Sequence, residues 1–394
     1  MLFTNPLLLP LFGGAVNAAN LWATHYSGTV NYLTFNGNSL ALTSSTKTNN
    51  AMPSWITYDN ATKALYIPDE QFFGSSGGSL VSFSIGNNGA LISTGKGSTP
   101  QGSVATALYG GSDGKGFIAN VHYSSSTLTT FKLPLSSSGG QPLQTIKYTM
   151  AQKGPNSRQD APHPHHAFVD PTGDFLLVPD LGADLIRINK IDKSSGKLTE
   201  CGSGKTPPGS GPRHGTFWSP ANTSSRIARQ TASTHLFIAN ELGNSVGSWA
   251  VSYSGGCMAL SLKQTITPYQ NNATAVQGTK VGEIKAKGNF LYTSNRNDKK
   301  FGSNNDSITQ YTIASDGTLT WTAITSSYGW YPRTFDINKA GDFVAIGDQT
   351  TSNVAIVSRD KTTGKLGTKV ADLRIGATGT PENEDGTSAV VWAE

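Results

Sequence analysis

The segment APHPHHAFVDP, Ala161 to Pro171, places His163, His165 and His166 within four positions, in a chain with seven histidines. Imidazoles this dense suit a metal site, a proton-transfer site, or a polar strand entry with no chemistry. Alternation along an extended chain lets His163 and His165 share a face while His166 points away. Arginines at Arg213 (GPRH), Arg296 (SNR) and Arg333 (YPRT) and a glutamate at Glu241 (ANELGN) complete the set of side chains that could react. Three guanidiniums repel a metal ion and attract an anion, and structural zinc sites usually want cysteine or further histidine. No metal and no cofactor is therefore expected. Arginines hold carboxylates and steady oxyanions, while His and Glu beside them exchange protons. The chemistry that fits is the opening of a ring ester by water, or the reverse addition of a carboxylate.

These residues converge only if the fold brings them together. One unit recurs along the chain: an apolar strand, a D-x-x-G-like turn, a second strand ending in Asp or Asn, and two further strands joined by a Gly-containing turn. HHAFVDPTGDFLLVPDLGADLIRINKIDKSSGKLTEC is the clearest copy. The second strands read ALYIPDE, GFIANVH, FLLVPDL, LFIANEL, FLYTSNR, FVAIGDQ and LWATHYS, at intervals of roughly 46 to 62 residues. Four short strands repeated seven times with no helical period predict an all-β, seven-bladed β-propeller. TSAVVWAE at the C-terminus reads as a first strand and LWATHY near the N-terminus as a second, so both chain ends close one blade. Residues 19–394 are expected to form a single domain.

In such a ring the first strand of each blade lines the channel, and the loop after the second strand opens on one face. Internal alignment places Ser54, Ser103, His165, Arg213, Glu283, Arg333 and Ser388 at the start of the first strands. Asp69, Asn120, Asp180, Asn240, Asn295, Asp348 and His25 end the second strands, followed by Glu70, Val121, Leu181, Glu241, Arg296, Gln349 and Tyr26. The Asp/Asn position repeats too regularly to be a reaction centre and suits turn capping. The other two positions vary from blade to blade, and those departures mark a site. A solvated, charge-balanced rim without chemistry is the competing reading. His166 is expected to pack between blades, and Asp170 belongs to the D-P-T-G turn.

Charged residues make up 14% of the chain, the net charge is +5, and there are 44 glycines and 19 prolines. This suits a turn-rich β protein. No Lys/Arg run marks a nucleic-acid arm and no stretch reaches the length of a membrane span. The first residues carry no charged side chain, and LLLPLFGGAV precedes Val16-Asn17-Ala18. Residues 1–18 read as a signal peptide, with a buried first strand as the other reading. Secretion is then expected, with sequons at Asn60, Asn222, Asn272 and Asn305. Cys201 and Cys257 fall at matching places in adjacent repeats and would pair in an oxidising compartment, or else remain two buried thiols.

PHPHHAFVDPTGDFLLVPDLGADLI, GPRHGTFWSP, LFIANELGNSV, EIKAKGNFLYTSNR and PRTFDINKAGDFVAIGDQTTSNVAIVSRDKTTGKL resemble the lactonase, seven-bladed β-propeller family. That family includes 6-phosphogluconolactonases and the fungal 3-carboxy-cis,cis-muconate lactonizing enzymes. The resemblance runs over essentially the whole chain after residue 18. It implies catalytic roles for His165, Arg213, Glu241 and Arg296, and places His163, His214, Arg333 and Gln349 near the ligand. Glu283 and Glu70, from the two rings, are further candidates for substrate contact. Gln101 to Val104 lacks a histidine that related propellers carry there, and the segment from Ser219 to Thr234 is longer than usual.

The reading favoured is a secreted lactonase for a small anionic or lactone substrate, acting as a monomer without nucleic acid or membrane. Glu241 and His165 would serve as acid and base, with Arg213 and Arg296 on the carboxylate. An extracellular sugar lactone is the preferred substrate class. A muconate-type cycloisomerase and a ligand-binding propeller without turnover are the alternatives.

Overall fold

Each repeat folds into a four-stranded antiparallel sheet, and seven such sheets stand side by side in a ring in the computed structural model. The structure describes residues 19–48, 52–71, 77–220 and 234–394. The expected leader, residues 1–18, and the sequon at Asn222 lie outside the described residues. We number the blades 1 to 7 along the chain. Blade 1 contains residues 19–47, and blades 2 to 7 span 57–99, 103–147, 168–205, 212–266, 280–326 and 332–374. Thr387–Trp392 supplies the innermost strand of blade 1, pairing antiparallel with Ala19–His25 through Leu21↔Trp392 and Thr24↔Ala389. Both chain ends thus close one sheet, which removes the open end of the array.

The alternation along each strand sends apolar residues to both faces of the inner strands, and those faces pack against neighbouring blades. One cluster joins Trp218, Phe237 and Val246 of blade 5 to Val281, Leu291 and Tyr311 of blade 6. Another joins Leu21, Leu33 and Phe35 of blade 1 to Ala345, Val354 and Ile356 of blade 7. Each such side chain contributes about 1.5–3 kcal/mol when fully buried. The core is therefore a ring of inter-blade layers, and the channel is left for polar side chains.

Polar clamps set the spacing between blades. Gln144 of blade 3 brackets Leu198 of blade 4, donating to its carbonyl at 2.9 Å and accepting its N–H at 2.9 Å. Gln264 does the same to Leu319 between blades 5 and 6, at 2.9 and 2.8 Å. Within blades the turns are tied by side chains. Both Asp170 oxygens accept backbone N–H groups, including those of Thr172 at 3.0 Å and Phe175 at 2.8 Å. Asp69 and Asp180 likewise accept main-chain N–H groups at the ends of their strands, whereas Asn240 and Asn295 donate to hydroxyls.

Cys201 and Cys257 are joined, linking the outer strands of blades 4 and 5 far from the channel. Asn60 and Asn272 are exposed in turns, and Asn305 is half-buried, with its Oδ1 accepting from Ser326 at 2.5 Å. Because the disulfide closes a loop with a sequence separation of 56, the doubly substituted C201S/C257S chain should lose roughly 2–4 kcal/mol of stability. Urea titration checks this as a lower midpoint at constant m value.

Candidate active site

Strand pairing shows how the channel side chains are aimed. In blade 5, Pro212 pairs with Asn240 and His214 with Ala239, so Arg213 is an extra residue in a β-bulge. Arg333 is the extra residue of blade 7, Val104 of blade 3 and Ser388 of blade 1. In blade 6 two residues, Gly282 and Glu283, stand between the pairs Val281↔Asn295 and Ile284↔Thr293. Isolated bridges Pro53↔Asp69 and Pro164↔Asp180 set Ser54 and His165 at the same level of blades 2 and 4. A bulge releases one side chain from the ladder and turns it toward the channel.

This register corrects the internal alignment at three places. Ser103 gives way to Val104, and Glu283 to Gly282. In blade 3 the strand ends at His122 rather than Asn120, so Tyr123 occupies the place expected for Val121. The repeated FIAN of Phe117–Asn120 and Phe237–Asn240 suggests equivalence, but pairing runs two residues further in blade 3 because Ser103 and Thr129 grip the His122 ring at 2.8 Å each.

Above this ring lies a cavity of about 280 Å³. Among the expected residues His165, Glu241, Arg296, Arg333, Gln349 and Glu70 line it. Four others do not. Arg213 lies under its floor, 1% exposed, and donates to His214 Nε2 at 2.8 Å. His214 Nδ1 stands 3.2 Å from Glu283 Oε2 one layer down. His163 stacks on Tyr123 and reaches Asp160 at 3.0 Å. The cavity also takes in Val104, Tyr123, Arg158, Lys280, Tyr331 and Glu382 to Glu384, which the repeat pattern does not mark. Tyr123 was hidden by the register of blade 3. Arg158 rises from the connection before blade 4 and Glu382 to Glu384 from the connection before the closing strand, where no repeat exists to compare.

The three histidines diverge. His163 faces Tyr123, and His165 faces the cavity. His166 stacks on His214 and Phe168 and meets Trp55, two blades away, edge-on at 5.6 Å. It thus packs between blades 4 and 5, as expected, and also forms part of an aromatic floor across the channel. Their separation by role leaves no shared ligand point, and among the described residues no group of three His, Cys, Asp or Glu side chains is placed to hold a metal.

Charge is concentrated on Glu241, 1% exposed. Its Oε2 contacts Arg213 Nε and Arg296 Nη2 at 2.8 Å each, and Arg158 grips Oε1. Burial alone would raise its pKa, but Arg158, Arg296 and Arg213 outweigh that and hold the carboxyl well below the usual range. Opposite, Glu70 accepts from Tyr26 and lies 3.4 Å from Arg333 Nη2. Burial raises its pKa against the pull of Arg333 and Tyr26. His165 is 5% exposed, and its Nδ1 has no hydrogen-bond partner among the described residues. Burial, then Arg213 and His214, hold its pKa well below 6.5. It is therefore a neutral imidazole at neutral pH.

A family model described as lactonase, 7-bladed β-propeller matches residues 20–380. The chain belongs to the lactonase, seven-bladed β-propeller family. It is 31% identical to the "Probable 6-phosphogluconolactonase" of Arthroderma benhamiae, over 81% of this chain and 76% of the relative. It is 27% identical to the 6-phosphogluconolactonase of Bacillus subtilis, over 64% of this chain and 65% of the relative. Among solved structures, the periplasmic gluconolactonase of Pseudomonas aeruginosa superposes with a TM-score of 0.76 at 21% identity, covering 95% of this chain and 99% of that one. That last likeness is one of fold.

The geometry makes Glu241 the keystone of a lactonase-family pocket. Glu241→Gln should leave the guanidiniums facing one another and cost roughly 3–5 kcal/mol. Thermal or denaturant unfolding checks it, and a variant as stable as the parent would show that the arginines do not need the carboxylate.

Proposed function

We propose that the protein hydrolyses a sugar lactone at this cavity, without a metal. The observation that carries the reading is a neutral, partly unpartnered imidazole, His165, in one cavity with the Arg158–Arg296–Glu241 cluster. The guanidiniums of Arg158 and Arg296 take the lactone carbonyl oxygen and steady its charge as water adds. His165 accepts the proton of that water and returns it to the ring oxygen as the ester bond breaks. One C–O bond forms, one breaks, and the proton count balances. Glu241 stays ionised, so its part is to hold the arginines in place and moderate their charge rather than to donate a proton. Arg213 supports it from beneath. The product carboxylate leaves from the same guanidiniums that bound the carbonyl.

Secretion belongs to the same proposal. Its support is the uncharged apolar leader and a disulfide between strands of adjacent blades, which persists in oxidising compartments. An extracellular lactonase would meet products of sugar oxidation outside the cell. We also propose that the propeller works as a monomer, since one ring carries every residue of the site.

The test is a pH-indicator hydrolysis assay on glucono-, cellobiono- and 6-phosphogluconolactone and on muconolactones. Turnover should survive EDTA and fall ~10²–10⁴-fold in His165→Asn. No rate above spontaneous hydrolysis on any lactone would sink the reading. The pH profile adds a second check. A lowered His165 pKa keeps the imidazole neutral as pH falls through 6.5, so the acid limb of kcat/KM should lie below pH 6.5. A limb at or above that value would show that another group carries the proton.

A further inference from the structure

The closing segment of the chain passes over the cavity. Residues 376–386 connect the outer strand of blade 7 to the strand that completes blade 1. Both sides of this strap are anchored. Gly379 N–H donates to Thr350 O at 2.8 Å, and Gln349 Nε2 donates to Asn383 O at 2.6 Å. Gly386 O accepts from Tyr26 N–H at 2.9 Å. Gly386 has φ +77°, and a Cβ there would stand 1.8 Å from Gln349 O, so only glycine lets the strap lie this close. Asp385 ties the loop internally by accepting from Thr380 N–H at 2.9 Å.

The strap delivers two carboxylates, Glu382 and Glu384, to the cavity mouth. Glu382 pairs with Lys280 across the opening. The cavity then divides into two poles. At one, Arg158 and Arg296, with Arg213 beneath, share the single carboxylate of Glu241. At the other, Arg333 is already engaged by Glu70, and Glu384 adds a further negative charge; between the poles Glu382 holds Lys280, whose strand position pairs with Arg296. The first pole favours an oxyanion; at the second, the described residues offer no uncommitted cation for a second anionic group.

Resting on the lactonase reading above, we propose that the strap is a specificity element: Glu382 and Glu384 select uncharged polyhydroxy lactones and reject phosphorylated or acidic ones. A sugar lactone whose carbonyl oxygen lies on Arg158 and Arg296 directs the far end of its ring toward the strap. A hydroxymethyl group there can hydrogen-bond to the strap carboxylates. A phosphate there, carrying roughly −1.5 to −2 charges, meets Glu384 and must compete with Glu382 for Lys280. Selection works through a repulsive element set against the wrong ligand.

The test compares kcat/KM for D-glucono-1,5-lactone and its 6-phosphate in the whole mature chain and in the Glu382→Gln/Glu384→Gln variant. The parent should favour the neutral lactone at least ~10-fold, and the variant should shrink that preference at least ~10-fold by accepting the phosphorylated lactone better. Calorimetry with gluconate and 6-phosphogluconate reads the same selection without turnover. A parent that prefers the phosphorylated ligand, or a ratio untouched by the double substitution, overturns the proposal. If neither lactone is hydrolysed, the hydrolase reading fails, and calorimetry still decides whether the strap discriminates by charge.

Discussion

A single buried carboxylate holds three guanidiniums at the head of this channel. Arginines from the connection before blade 4, from blade 5 and from blade 6 converge on Glu241, and without it they would repel one another, Arg213 and Arg296 while buried from water. The cost of desolvating such a cluster is offset only by close, mutually oriented contacts. The neighbours follow from it. Arg213 spends one edge on Glu241 and hands another to His214, which in turn faces Glu283. The same positive charges help to keep His165 neutral.

The propeller supplies this arrangement at low cost because every blade points two backbone positions at one place. One comes from the bulge at the start of the first strand and the other from the residue after the second strand. Blade 1, with Ser388 at the first and Tyr26 at the second, contributes only a hydroxyl that orients Glu70. Blades 4 to 7 place His165, Arg213, Arg296 and Arg333 there, and blade 5 adds Glu241. Chemistry is thus confined to one arc of the ring while Trp55, His166 and His214 plug the channel beneath. Apart from Val104, the bulge residues stand outside the apolar inter-blade clusters, so most of the site can vary without repacking that core.

Closure of the ring matters to the site as well as to stability. The strand that completes blade 1 can reach its partner only by crossing the cavity mouth, and the connection that makes the crossing brings Glu382 to Glu384 with it. Topology therefore places an acidic segment over the arginine cluster, with Glu384 toward Arg333, and the pocket acquires a direction.

Much of this was legible in the sequence because a repeat is its own alignment. Seven copies of one strand pattern, with no helical period, admit little besides a propeller, and the outlying residues His165, Arg213, Glu241, Arg296 and Arg333 stand out against serines and asparagines. Local chemistry also determined the turns, as at Asp170, whose carboxylate needs only its own next few residues. The tertiary structure alone decided the rest. Bulges and the two-residue extension of blade 3 set which residue faces the channel, and they depend on hydrogen bonds across strands, such as those gripping His122. That is why Val104, Gly282 and Tyr123 replaced Ser103, Glu283 and Val121. Arg158 and the strap lie in connections that do not repeat, so no internal comparison could mark them. Whether a buried histidine or glutamate is charged depends on which charges lie within a few ångströms, and in a ring those come from other blades and connections, as Arg158 reaches Glu241 from 83 positions away.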